Sequence, residues 1–395
     1  TTTETYTLSL PAALPILGAQ VSDIDSSAST LEYCIIRDGW GGAGSNNLGT
    51  DPAFKDTNFP EGKDRVWWTN EDGLALTAGS PGLDSGKNAA VPADLADIDG
   101  DSDTTEALPL EFRSLIRTVN GTVDRGAYEY QRPTVTFVPG SHGTRIGGGE
   151  LIQHLGEGTQ ATAPLLQVEF GWRLTGWNPA FNRVYVDTTV NAVYGPFFSP
   201  GDICHVRVGG TGDGATWAQA AGNLQQAIEA VAMVGGQVWV GAGTYLPDSW
   251  PNGGATQREK HFSLRNGVAV LGNFPATGDP GLADRGPATP TICSGDIGTP
   301  GNNADNAHRV FYHPGGAALG PSARLDGVRI SGGNANSAPH EYGAGMFNSG
   351  SSPTIVGCVF AGNPAARHAG WPYPGRASPA TAVNSLFFPH PANGG

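Results

Sequence analysis

Lysine is almost missing from this chain. Four of its 395 residues are Lys, Asp and Glu number 36, and the net charge is −14. With no basic stripe to neutralise phosphates, the composition disfavours a nucleic-acid partner, and none is expected. No run of 18 apolar residues occurs, so no segment here is suited to span a bilayer. The four cysteines, Cys34, Cys204, Cys293 and Cys358, lie too far apart to read as a metal site or a compact disulfide framework. They are expected to be free and buried, as small apolar groups. None of the nine His falls in H-E-x-x-H, and no Walker loop is present. GGAGSNN and GGNANSAPHEYGAG are rich in Gly but lack a following Lys or helix start, so turn chemistry accounts for them.

What is abundant points to a turn-rich β protein. Gly and Pro, 59 and 30 residues, together exceed a fifth of the chain without a G-X-Y period, which excludes collagen. A hydrophobic content of 38% with nine Trp is ample for buried cores and makes disorder a poor reading. The acidity is uneven: residues 1–130 hold 21 acids and 8 bases, whereas 131–395 hold 15 and 14.

One pattern organises the chain. Leu325 to Asn334, LDGVRISGGN, returns thirty residues later as Ile355 to Asn363, IVGCVFAGN, which places Val328 on Cys358, Ile330 on Phe360 and Gly332 on Gly362. A third copy puts Ser385 and Phe387 in the same two places as Cys358 and Phe360, and LEYCIIRDG does so with Cys34 and Ile36. Each copy is a short period-two apolar run closed by turn-forming residues, hence a strand and a tight corner. Strands that return every 20 to 30 residues predict a solenoid, specifically a parallel β-helix with coils about 4.8 Å apart and aligned residues stacked in ladders. Cys34 and Cys358 are then interior ladder residues. In GDGATWAQAAGNLQQAIEAVAMVGGQ, Leu224, Ile228 and Val231 fall at i, i+4 and i+7 before Gly235 and Gly236, which predicts a capping α-helix near 216–234. QVWVGAGTY follows as the first strand.

Three groups of residues carry family resemblances. DPAF at Asp51–Phe54, DGLALTAGSPGLDSG at Asp72–Gly86 and VDRGAYEY at Val123–Tyr130 resemble the terminal region of bacterial right-handed β-helix surface proteins of the choice-of-anchor Q type, which share the pectin-lyase-like fold. RNGVAVLGNF at Arg265–Phe274 and TICSGDIG at Thr291–Gly298, with the helix before them, resemble the N-terminal part of the same group. Gly171, Trp172, Gly176 and Trp177 resemble the Listeria-Bacteroides repeat, an internalin B-repeat-like, β-grasp-like module. Trp172 and Trp177 are readable as sugar platforms, although such aromatics more often fill the module's core.

The expected fold class is therefore mainly β, with right-handed parallel β-helix parts flanking a small β-grasp-like module. Residues 1–20 are set aside, either as a signal-peptide core without its basic start or as resembling a translated sequencing-adapter remnant. Residues 21–130 read as the C-terminal end of a β-helix, 131–195 as the repeat module, 196–202 as a linker and 203–395 as the truncated N-terminal part of a second β-helix. Residues 365–376 fit the coil pattern poorly. The chain is expected to be a fragment of a longer protein.

Chemistry-bearing candidates are few. DLADIDGDSDTTE offers Asp97, Asp99, Asp101, Asp103 and Glu106, preceded by Asp94, with no base nearby. Alternating carboxylates supply the hard oxygen donors that Ca²⁺ takes, but Gly100 is fourth and Glu106 tenth from Asp97, so this is no EF-hand. The competing reading is a solvated acidic insertion. Arg324 and Arg329 flank Asp326, a trio that a lyase would use beside Ca²⁺, yet alternate coil residues face solvent and are usually charged. Inverting hydrolysis needs carboxylates about 6.5–9.5 Å apart, and the coil mate of Asp326 is Val356, so no pair forms. His142, in SHG, does not match the GHG arrangement of polygalacturonase-like enzymes. Asn120 in Asn-Gly-Thr is a sequon by pattern and a turn by chemistry. No catalytic or cofactor-binding residue is assigned. The resemblance implies an extracellular or cell-surface, non-enzymatic protein, an adhesin or stalk touching glycans or other cells. The alternative is a polysaccharide lyase or glycoside hydrolase whose active coils lie outside this stretch, and a third reading is an inert spacer.

Overall fold

The computed structural model describes residues 28–36, 39–366, 373–374 and 381–388. Residues 1–20 and most of 365–376, both singled out above, lie outside them. The described chain is mainly β, its sheets are mostly parallel, and among the described residues it has one α-helix. Among the described residues no helix is long and apolar enough to cross a membrane. Two compact units separate, Thr1–Gln167 with Gly176–Val193, and Val168–Thr175 with Tyr194–Gly395.

The second unit contains three sheets of parallel strands. The first runs Thr381–Val383, Thr354–Val356, Arg324–Asp326, Val268–Phe274, Gly236–Gly241, Ile203–Val206. The second runs Leu386–Phe387, Val359–Phe360, Val328–Ser331, Thr291–Ser294, Gly243–Tyr245, and the third joins Phe311–His313, Met346–Asn348 and Tyr373–Pro374. From Val268 onward the chain visits the first, second and third sheets in that order and then returns to the first.

The register follows the apolar period. Ile330 pairs with Phe360 and Phe360 with Phe387, while Leu325 pairs with Ile355. Cys293 continues the second-sheet ladder between Tyr245 and Ile330. Leu325, Ile330, Ile355, Cys358 and Phe360 have no exposed surface and share one core with Cys204, Val238 and Val270. Alternation sends Arg329 outward between Val328 and Ile330. In the three passes from Arg324 onward the chain turns between the first and second sheets at a left-handed residue, Gly327 at φ +68°, Gly357 at +56° and Asn384 at +50°, whereas the pass before them connects Phe274 to Thr291 through residues 275–290. Gly and Asn tolerate that conformation best, which explains why the corner residue is of this kind.

The helix is shorter than expected, Leu224–Ala232, with a separate 3₁₀ turn at Trp217–Gln219. Asn223 ends the irregular stretch by capping it, its side chain accepting from Gln226 N–H. Leu224, Ala227, Ile228 and Val231 are buried in the same core as Cys204, Val206, Val238 and Val240, so the helix covers the apolar side of the first strands.

In the first unit, Thr134–Val138 pairs antiparallel with Ile152–His154 and parallel with Thr188–Pro196. Val135, Phe137, Ala161, Val184 and Val190 form its core, and Trp177 sits edge-on to Phe137 at 5.1 Å, in a packing role. Residues 28–130 are held by turns and isolated bridges. Among the described residues of LEYCIIRDG there is no strand: Thr30, just before it, and Ile35 make single parallel bridges to Ala43 and Leu48, and Tyr33 breaks the extended run at φ +53°. Cys34 is consequently half-buried instead of a ladder residue. Cys204, Cys293 and Cys358 are buried, and all four cysteines are free.

The ladders set the first expected outcome. Phe360→Ala should lower unfolding free energy by about 3–5 kcal/mol through lost burial and a cavity, whereas Arg329→Ala should change it by less than about 0.5 kcal/mol. Urea denaturation of the two variants checks both.

Candidate functional site

Two places in the described residues gather polar side chains without an evident structural need. The first is the acidic loop. Ala93 and Ala107 form an antiparallel bridge, and Asp94 N–H donates to Glu106 O at 2.9 Å, so the two ends of the loop are clasped at a neck. Asp97, Gly100 and Ser102 adopt φ of +52°, +79° and +73°, which folds the loop back on itself.

That folding divides the carboxylates. Oxygens of Asp94, Asp99 and Glu106 lie within 4.8 Å of one another, and so do those of Asp97, Asp99 and Asp101. Asp103 joins neither group: its Oδ1 accepts from Thr105 N–H and Oγ1–H, at 2.8 and 2.7 Å, and these bonds lower its pKa. Asp97 Oδ1 accepts from Ser102 N–H and Asp101 Oδ1 from Asp103 N–H, so both are engaged in local turns. Asp94 is different. It is 1% exposed, its Oδ2 accepts from Ile98 N–H at 2.9 Å, and its Oδ1 is buried without a hydrogen-bond partner. Glu106 Oε1 is likewise buried and unpartnered. Desolvation, with the neighbouring Asp101, Asp99, Asp103 and Asp94 charges, raises the Glu106 pKa. Buried carboxylate oxygens with nothing to bind destabilise the fold, and a hard divalent cation is the group that offsets this. The donor set thus fits a metal ion. The set expected from sequence, Asp97, Asp99, Asp101, Asp103 and Glu106, omits Asp94, because the bridge that carries Asp94 to Glu106 leaves no local sequence signal.

The second place is a cavity of about 280 Å³ in the second unit, lined by Asn252, Glu259, His261, His308, Arg309, Tyr312 and His340. Glu259 ends a 3₁₀ turn, where its Oε2 accepts from Ala255 and Thr256 N–H, both at 2.8 Å. These backbone donors hold its pKa at about 2. Its Oε1 lies 3.3 Å from His340 Nε2. His340 Nδ1 is 3.0 Å from Arg309 Nη1, and since Arg can only donate, that nitrogen accepts and Nε2 carries the proton. His340 stacks on His308 at 4.4 Å. His308 Nδ1 donates to Asn334 O at 3.3 Å, which leaves Nε2 as an acceptor. Arg309 is 8% exposed and lies between the Tyr312 and Phe347 rings, at 4.8 and 4.4 Å.

Sequence analysis missed this cluster. Its members are spread from Asn252 to His340 and converge because passes of the chain stack. His340 sits in GGNANSAPHEYGAG, read above as a corner. The Asp326 trio dissolves instead: Asp326 pairs with Arg285 at 2.7 Å and with Arg324, faces Val356 across the ladder as expected, and Arg329 takes no part in those pairs. Asn120 forms a left-handed turn with Gly121. The motif VDRGAYEY is structural, since Asp124 accepts from Asp84 and Tyr130 N–H and Glu129 accepts from Val119 and Asp124 N–H. Burial pushes the Cys204 and Cys358 thiols up to about 12, so neither is a nucleophile at neutral pH.

Compared with known proteins, the chain matches no family model, no curated protein and no solved structure. What fold and sites define is a class: a mainly β protein of stacked parallel strands, with an acidic cluster fit for a metal ion and a separate polar cavity.

The titrating groups of the two units oppose each other. Burial holds His308 and His313 at about 4, so their contribution is present above the unfolded value near 6.5 and is lost as pH falls toward 4. Burial raises Glu129 to about 7, so its contribution is present below the unfolded value of 4.5 and is lost as pH rises through 7. From pH 7 down to 4.5, hydrogen-exchange protection, taken relative to the intrinsic rate at each pH, should therefore fall in peptides spanning 305–348 and rise in those spanning 111–130.

Proposed function

We propose that this chain is a stretch of a non-enzymatic, secreted or cell-surface modular protein of the right-handed parallel β-helix type, acting as an adhesin or stalk that contacts glycans. The observation that carries this reading is the cavity beside Tyr312. Arg309 and Glu259 balance in charge, the histidines are neutral above about pH 6.5, and donors alternate with acceptors such as His308 Nε2. A hydroxyl group both donates and accepts, so a neutral sugar the size of one hexose suits such a lining, with Tyr312 as its apolar contact. The in-register ladders support the solenoid part of the reading. The anchor-like motifs at 51–130 and the GW pairs at 171–177 support a modular surface protein, placed outside the cell.

Hydrolysis or elimination would require a carboxylate or base with a pKa near the working pH. Glu259 at about 2 and His308 at about 4 are both too weak as bases, which favours binding without turnover. In the acidic loop, Ca²⁺ supplies the missing partner for the carboxylates and stiffens the first unit.

Saturation-transfer NMR with neutral monosaccharides and their oligomers is expected to show binding weaker than about 0.1 mM that Tyr312→Ala removes. Release of reducing ends or unsaturated products on prolonged incubation would overturn the non-enzymatic reading in favour of the lyase or hydrolase alternative.

A further inference from the structure

The calcium reading of the acidic loop can be taken to particular atoms. We propose that one Ca²⁺ binds at the neck of the loop through Asp94 Oδ1, Glu106 Oε1 and a carboxylate oxygen of Asp99, and that Asp97, Asp101 and Asp103 are turn-formers instead of ligands. This rests on the acidic loop being a metal site at all.

Three observations converge on these atoms. Asp94 is 1% exposed, and one of its two oxygens is satisfied by Ile98 N–H while the other has no partner. Glu106 contributes a second buried, unpartnered oxygen, and it is held opposite Asp94 by the bond from Asp94 N–H to Glu106 O. Asp99 brings a third carboxylate from the loop tip to within 4.8 Å of both. Like charges gathered and desolvated in this way repel, so the arrangement needs a cation, and no Lys or Arg ion pair to these three is found among the described residues.

The donors select the ion. All three are carboxylate oxygens without His or Cys, which disfavours Zn²⁺ and other soft or borderline metals. Carboxylates brought together by a folded loop suit Ca²⁺, which takes several oxygen ligands in flexible geometry, better than Mg²⁺, which demands a near-ideal octahedron and keeps several of its waters. Water completes the shell on the exposed side of Asp99. In the Asp97, Asp99, Asp101 group Asp97 is half-buried and the other two are exposed, each accepts a backbone N–H, and none has the buried, unpartnered oxygen that Asp94 and Glu106 have. The ion would lock both ends of the loop, which a site at the tip would not do.

The experiment uses the full chain, with thermal unfolding in EGTA, CaCl₂ or MgCl₂ and Tb³⁺ luminescence for stoichiometry. Wild type is expected to gain a few degrees with Ca²⁺ at millimolar concentration, to gain much less with Mg²⁺, and to bind one Tb³⁺. Asp94→Asn and Glu106→Gln should abolish the Ca²⁺ gain, and Asp101→Asn and Asp103→Asn should keep it. In EGTA, Asp94→Asn should melt at or above the wild-type temperature, since it removes an uncompensated buried charge. That second readout shows that the variant folds. Loss of the gain in Asp101→Asn with its retention in Asp94→Asn would overturn this donor set and leave calcium binding by the loop intact. No gain in wild type would overturn both, and an equal gain with Mg²⁺ would overturn the choice of ion.

Discussion

Backbone pairing between successive passes of the chain is the constraint on which the second unit depends. A three-residue strand such as Arg324–Asp326 or Thr354–Val356 is too short to be stable alone. Its N–H and C=O groups are satisfied by the strand before and the strand after, and its inward side chain is buried by the same neighbours. Register and core are therefore one property. A shift of one residue would turn Ile355 outward and Thr354 inward, and the shift would have to propagate through every pass. The left-handed corner residues fix where each pass begins its second strand, and so hold that register.

Much of this was legible in the sequence because it is local and periodic. The recurrence of Ile330 at Phe360 and Phe387, and of Asp326 at Val356, needs only a count of residues between turns. Cys34 shows the limit: its segment has the same apolar spacing, but Tyr33 in a left-handed conformation breaks the strand. The helix was recognisable from Leu224, Ile228 and Val231, while its start was not, because the Asn223 cap competes with an apolar-looking stretch from Trp217. Sites follow the same division. The acidic run is conspicuous by composition, yet the value of Asp94 arises from a bridge between residues 93 and 107. The cavity around Tyr312 was illegible, since Glu259, His308 and His340 share no motif and meet only through stacking.

The chain treats buried charge in two ways. Arg113 is almost fully buried, but Glu111 at 2.9 Å, Glu157 at 3.3 Å and the Glu129 carbonyl surround it, so the group is internally compensated. Asp72 accepts from Tyr128 Oη–H and Trp68 N–H in the same spirit. Asp94 and Glu106 have no such arrangement. Complete hydrogen bonding marks the first group as architecture, and the buried, unpartnered oxygens of the second are the atoms on which the proposed calcium site rests.

The short corner has a further consequence for how such a chain can vary. In the three passes from Arg324 onward one or two residues join the first sheet to the second, with Gly327, Gly357 or Asn384 left-handed at the corner, whereas the pass before them carries residues 275–290 between Phe274 and Thr291. Between the second and third sheets the connection is 14 residues or more in the two passes where it is fully described, from Ser294 to Phe311 and from Ser331 to Met346. Material can be added or lost on that side without disturbing the ladders. From Arg324 onward the stack is thus bound along one edge like the spine of a book, and new surface chemistry is free to accumulate on the open edge, where His340 already lies.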